Sequence, residues 1–156
     1  MLRSEEEVLD PDAFLETVSP SKNLSYATRL GETRTFKVLN SFSSSSSYDT
    51  ITAALRYNGT YFQFYIDERD EDSMTEEDIQ SLAETFGEIV PIERELLDGE
   101  ESDVNGDGKF AVLFTRVVNQ LGADSGGIVT GFFYAADLFD AEQYDVSNEM
   151  EIYYTL

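Results

Sequence analysis

The stretch YDTITAALRYNGTYFQFYIDE, residues 48–68, decides the fold class. Two runs of Ile, Thr, Tyr and Phe flank Asn58-Gly59, residues that tolerate positive φ. The pattern predicts a β-hairpin over about 49 to 67, closed by a two-residue type I′ turn. Its aromatic series Tyr57, Tyr61, Phe62, Phe64 and Tyr65 reads as core and cross-strand packing, with a stacking platform for sugars or rings as the alternative.

On the N-terminal side, TRTFKVLN (33–40) alternates, with Thr35, Lys37 and Leu39 on one face and Phe36, Val38 and Asn40 on the other, as a β-strand requires. The serine tract 43–47 is too polar to pack and reads as an exposed loop. Residues 1–30, acidic and interrupted by Pro11 and Pro20, read as a flexible leader. On the C-terminal side a charge-dense segment gives way at Thr75 to helical spacing: Ile79, Leu82, Ala83, Phe86, then Ile89 or Val90. Ser73 and Thr75 are candidate N-caps, with Glu76 and Asp78 as reciprocal partners. Pro91 should kink this helix or start a second one, through Ile92, Leu96 and Leu97 to a stop near Gly99. FAVLFTRVV (110–118) reads as a central strand; GGIVTGFFY (126–134) and MEIYYTL (150–156) read as two more. The sum is an α+β fold, a mixed but mainly antiparallel sheet with one or two helices, forming a single domain over 31–156.

Composition narrows the chemistry. Thirty-two acidic against 10 basic residues leave a net charge of −22, which repels phosphate backbones and anionic bilayers and favours cations or basic partners. Nucleic-acid partners and membrane insertion are therefore not expected. The chain has neither Cys nor His, so thiol and imidazole catalysis, disulfides and an imidazole-based zinc site are excluded within it. No catalytic residue can be named.

Asp103-Val104-Asn105-Gly106-Asp107-Gly108-Lys109 is the sharpest local signal. Side-chain oxygens at positions 1, 3 and 5, glycine at 6 and a backbone carbonyl at 7 are how an EF-hand-type loop wraps Ca²⁺, so Asp103, Asn105, Asp107 and Lys109 are candidate ligands. Phe114 occupies position 12, where a bidentate Glu is expected, so a further carboxylate must come from elsewhere, with Asp98, Glu100 and Glu101 as candidates. The competing reading is an ordinary Asx/Gly turn. Glu149 and Glu151 would share one face of the last strand, as a general acid–base pair or, more plainly, as a solvated face. Gly122, Gly126 and Gly127 lack the surroundings of a phosphate loop. Asn58-Gly59-Thr60 and Asn23-Leu24-Ser25 match the glycosylation triplet.

Taken in order, LGETRTFKVLN, ITAALRYNGTYFQFYIDE, PIERELLDGE, DVNGDGKFAVLFT, GGIVTGFFYAADLF and SNEMEIYY resemble the secreted zinc metallopeptidases of the hyicolysin-like M30 family, over residues 30 to 156. The resemblance implies the upper, N-terminal portion of such an enzyme, incomplete at its C-terminal end because the His-Glu-x-x-His helix would follow. Zn²⁺ would then belong to the missing part of the parent protein. The resemblance also implies a central strand at 110–117 and an edge strand at 127–134. Gly127, Ile128, Val129, Thr130 and Gly131 would face a protein or peptide substrate by β-augmentation. Secretion or cell-surface display, and self-association through an exposed last strand, belong to the same expectation. The alternative is a self-contained calcium-stabilised β-rich binding or adhesion module of a cell-surface protein.

Overall fold

A computed structural model describes residues 29–43, 47–96, 103–123 and 126–156. The leader up to residue 28 with its Asn23 triplet, the serines 44–46, the helix end expected at Leu97 to Gly99, and the spare carboxylates Asp98, Glu100 and Glu101 lie outside the described residues.

The strands are β1 (Thr33–Leu39), β2 (Tyr48–Asn58), β3 (Phe62–Asp67), β4 (Phe110–Phe114), β5 (Gly131–Phe133) and β6 (Ile152–Thr155). The helices are α1 (Glu76–Leu96) and α2 (Val117–Ala123), with 3₁₀ turns at Glu68–Ser73 and Ala135–Leu138. One six-stranded sheet carries the order β1-β2-β3-β4-β6-β5. β1–β2, β2–β3 and β5–β6 are antiparallel, whereas β3–β4 and β4–β6 are parallel. The fold is α+β with a mixed, mainly antiparallel sheet, as the sequence predicts.

Strand alternation splits the core in two. Phe62, Phe64, Ile66, Val112 and Phe114 meet Ile79, Ala83 and Val90 of α1 on one face. Phe36, Val38, Tyr65, Ala111 and Leu113 meet Val117 and Val118 of α2, with Met150, Ile152 and Tyr154, on the other. The aromatic series is packing: Tyr57 stacks on Phe62 at 5.3 Å, Phe62 and Phe64 touch Phe86, and Tyr65 meets Phe36 edge-on at 5.0 Å.

α1 begins as a capping box. The Thr75 N–H and hydroxyl donate to Asp78 Oδ2 at 2.9 and 2.6 Å, and the Asp78 N–H donates back to Thr75 Oγ1. Ser73 instead closes the preceding 3₁₀ turn by donating to the Asp70 carbonyl.

Five local expectations need correction. The hairpin is present, but Asn58 and Gly59 are not among the positive-φ residues and no type I′ turn forms. The strands part after the Asn58–Gln63 pair, and Gly59 N–H donates to the Phe62 carbonyl at 2.9 Å. A Cβ at Gly59 would stand 2.7 Å from the Tyr57 ring and 3.2 Å from the Phe62 carbonyl, so a larger residue would have to displace the Tyr57 side chain. Of the two outcomes expected at Pro91 the second helix is the one overturned: α1 runs through Pro91 to Leu96 as one helix, which keeps Ile92 and Leu96 helical as expected. The central strand ends at Phe114, and Val117-Val118 open α2, with Val117 N–H donating to Thr115 Oγ1. Residues 126–130 are not a strand; only Gly131–Phe133 pair. Finally, the last strand is internal rather than exposed. β6 is hydrogen-bonded to β4 on one side and β5 on the other, with Ile152 and Tyr154 buried.

Candidate functional site

Two neighbouring places gather the residues singled out by sequence. The first lies at the amino ends of β4 and β6. Here the loop 103–109 is drawn tight by its own side chains. Asp103 Oδ1 accepts from Gly108 N–H at 3.1 Å, Asn105 Oδ1 from Asp107 N–H at 3.3 Å, and Asp107 Oδ1 from Lys109 N–H at 2.8 Å. Gly108 sits at φ 68°, a backbone state that a Cβ would strain. Lys109 turns its ammonium outward to Asn58 Oδ1 at 2.6 Å.

The loop is fastened to the sheet by a residue not assigned to it from sequence. Glu151 Oε1 accepts from Val104 N–H at 2.6 Å, while Ala111 N–H donates to the Glu151 carbonyl at 2.8 Å. Burial, with the nearby charges of Asp103 and Asp107 adding to it, pushes the Glu151 carboxyl up to about 7. Burial also raises Asp107. Among the described residues, no three His, Cys, Asp or Glu side chains already converge as a metal-holding group. Glu149 and Glu151 do not act as a strand-face pair: both precede β6, Glu149 has φ 53°, and its Oε1 accepts from Ala141 N–H within the same loop.

The second place is the free edge of β5. Among the described residues, Gly131 to Phe133 pair on one side only, with Thr155 to Tyr153. Glycine at 131 is dictated by the neighbouring strand, because a Cβ would meet Tyr153 Oη at 2.3 Å and the Tyr154 carbonyl at 2.8 Å. Of the stretch Gly127–Gly131, Ile128 is 84% exposed and Val129 packs against the core. The Thr130 carbonyl already accepts from Leu156 N–H and Thr155 Oγ1. Beside this edge an apolar groove of about 360 Å³ runs between α1 and the sheet, lined by Phe86, Ile89, Val90, Phe110, Phe133 and Tyr153. Phe133 there is 71% exposed.

A third cluster was invisible in sequence. Asp137, 1% exposed, accepts from Asn148 N–H and Nδ2 at 2.8 and 2.9 Å and from the Tyr154 hydroxyl. Burial pushes its carboxyl up to about 6 against the pull of those donors. The Asn148 amide also copies a peptide group against β1, its Oδ1 accepting from Lys37 N–H and its Nδ2 donating to the Lys37 carbonyl, both at 2.8 Å. This cluster is structural: it ties the 134–150 loop to β1 and blunts that edge of the sheet.

No helix is long and apolar enough to cross a membrane among the described residues. Comparison of the chain with models of known protein families finds no match, and comparison with curated proteins finds none either.

Proposed function

We propose that the chain is the non-catalytic N-terminal scaffold of an exported, M30-like zinc metallopeptidase, inactive as it stands. The observation that carries this reading is the seating of three strands. β4 is central, β6 lies beside it, and β5 runs antiparallel to β6 as a short free edge. The resemblance implies a central strand and then an edge strand, and β4 and β5 support that order, although they cover only Phe110–Phe114 and Gly131–Phe133 of the expected 110–117 and 127–134. A free edge is a template for one more extended strand, so β5 and the turn before it are the surface offered to a protein or peptide substrate. The apolar groove beside Phe133 and Tyr153 is the seat for a helix arriving after β6.

Zinc does not fit the residues of this chain, which has no His or Cys. In this reading the metal and the general base belong to the remainder of the parent protein, which is secreted or displayed at the cell surface.

The gene sequence beyond Leu156 tests the proposal directly. A His-Glu-x-x-His codon pattern soon after it supports the scaffold reading. A stop codon there overturns it in favour of a self-contained calcium-stabilised binding or adhesion module, for which the tightly bonded loop 103–109 speaks. Where the gene continues, the longer chain should hydrolyse unfolded protein in a zinc-dependent manner and residues 1–156 alone should not. Equal hydrolysis by the short chain would also sink the proposal.

A further inference from the structure

The triplet Asn58-Gly59-Thr60 stands at the tip where β2 leaves β3 after the Asn58–Gln63 pair, and its two outer residues, Asn58 and Thr60, are exposed. An Asn-Gly pair at such a tip ordinarily supplies positive φ, yet neither residue adopts it here, so turn geometry does not account for the pair. Asn-x-Ser/Thr, with x other than Pro, is the acceptor pattern for an N-linked glycan on an exported chain. The bonds of the Asn58 side chain suit substitution at its nitrogen. Lys109 Nζ and Gln63 Nε2 both donate to Asn58 Oδ1, at 2.6 and 3.2 Å. A glycosylated amide keeps that oxygen and one of its two N–H groups, so these anchors survive the modification.

We propose that Asn58 carries an N-linked glycan, an inference that rests on the export reading of the parent protein and not on its proteolytic activity. The donor is a sugar chain carried on a polyprenyl phosphate or diphosphate. Its C1 bonds to Asn58 Nδ2 as the bond from C1 to the phosphate oxygen breaks. The phosphorylated polyprenol leaves with the electron pair, and the amide nitrogen gives up one proton to a base of the transferase. Thr60 supplies the hydroxyl that completes the acceptor pattern. Because Asn58 is exposed, the sugar enters solvent and displaces no buried side chain. A loop tip is also where an exported chain is open to nicking, and a bulky glycan there shields it.

The test is peptide mass spectrometry of the chain made by its own cells, recovered separately from the medium or cell surface and from the cytoplasm. In exported molecules the peptide spanning Asn58 is expected to carry a sugar mass, to lose it in Asn58→Gln and in Thr60→Ala, and to keep it in Thr60→Ser. Should Asn58→Gln fail to fold, Thr60→Ala decides, because it leaves Asn58 bonded to Lys109 and Gln63. An exported chain bare at Asn58 overturns this proposal and leaves the export reading standing. A chain found only in the cytoplasm overturns both. A sugar mass confined to the Asn23-Leu24-Ser25 triplet, or one on residues 58–60 that survives Asn58→Gln, overturns the assignment to Asn58.

Discussion

The parallel strands carry a carboxylate at each pole, one buried and one half-buried, and the two are treated in opposite ways. At the carboxyl ends of β3 and β4, Asp67 is 1% exposed, yet every lone pair is served. Arg69 N–H and Nε donate to Oδ1 at 3.0 Å, Arg69 Nη2 reaches Oδ2 at 2.6 Å, and Thr115 Oγ1 donates to Oδ2 at 2.7 Å. Burial alone would raise this carboxyl, but the Arg69 and Thr115 hydrogen bonds outweigh it and hold Asp67 below the usual range. At the amino ends of β4 and β6, Glu151 has one donor, two acidic neighbours and an unserved oxygen. Among the described residues, Arg69 and Arg116 stand at the first pole, whereas the ammonium of Lys109 at the second reaches Asn58 rather than Glu151. One pole is complete in itself; the other gains from a proton.

The sharpest way to break the comparison is to strip the matched pole of its cation. Arg69→Met leaves Asp67 buried with only Thr115 Oγ1 and a backbone N–H, and removing one partner of such a pair should cost about 3 kcal/mol. Urea denaturation at neutral pH reads this as a lower midpoint with unchanged slope. A loss below about 1 kcal/mol would mean that Asp67 is stabilised mainly by its neutral donors.

Proton linkage gives the next largest effect, and its sign separates the poles. Asp137, like Glu151, has its folded value raised, from 3.8 to about 6, so the proton binds the folded state more tightly. Its contribution to stability is fully present below its unfolded value and is lost as pH rises through about 6. Stability should therefore rise by up to about 2 kcal/mol between neutral pH and pH near 4, with Asp137→Asn flattening that slope. Glu151 adds the same sign at the upper end of the window, between its ordinary 4.5 and about 7. Asp67, whose folded value is lowered, contributes stability above its unfolded value that is lost as pH falls through the folded one. A stability maximum at neutral or alkaline pH would show that the matched pole dominates.

Glu151→Gln, at slightly alkaline pH, should go the other way from Arg69→Met. The amide keeps an oxygen for Val104 N–H and removes an unserved buried charge, for a gain of about 1 kcal/mol. Destabilisation by the same measurement would place a hidden donor on Oε2.

These contrasts also mark how far the sequence could be read. The capping box at Thr75 and Asp78 was legible because its partners are three residues apart. The strand at Phe110 to Phe114 was legible because a strand covered on both faces leaves a continuous apolar run in the local sequence. Val117 and Val118 misled because β-branched residues favour strands, and only contact with β1 and the core makes α2 helical. Gly59 was read as a conformational glycine, whereas its φ is not positive and what crowds it is the Tyr57 ring, a neighbour that sequence does not show. The insertion of β6 between β4 and β5 is a non-local pairing with no signature in either strand. The candidate site was half-legible for the same reason. Asp103 to Lys109 form a motif, whereas Glu151 joins them from 47 residues beyond Val104, and Asp137, Asn148 and Tyr154 look like ordinary loop and strand residues until folded together.

The smallest effect asks whether burial, rather than the number of ion pairs, makes the matched pole complete. Arg116 and Asp70 stand beside Asp67, with Arg116 Nε donating to Asp70 Oδ1 at 2.7 Å, but the Asp70 side chain is 15% exposed where that of Asp67 is 1%. An ion pair open to solvent is screened and contributes at most about 1 kcal/mol, so Asp70→Asn should cost about 0.5 kcal/mol at low salt and less at high salt. The Arg69→Met penalty, resting on a carboxylate out of reach of counterions, should be nearly salt-independent. If both penalties fade together as salt is added, the carboxyl ends of the parallel strands are held by ordinary surface electrostatics. The contrast with the acidic pole would then be one of local charge count rather than of burial.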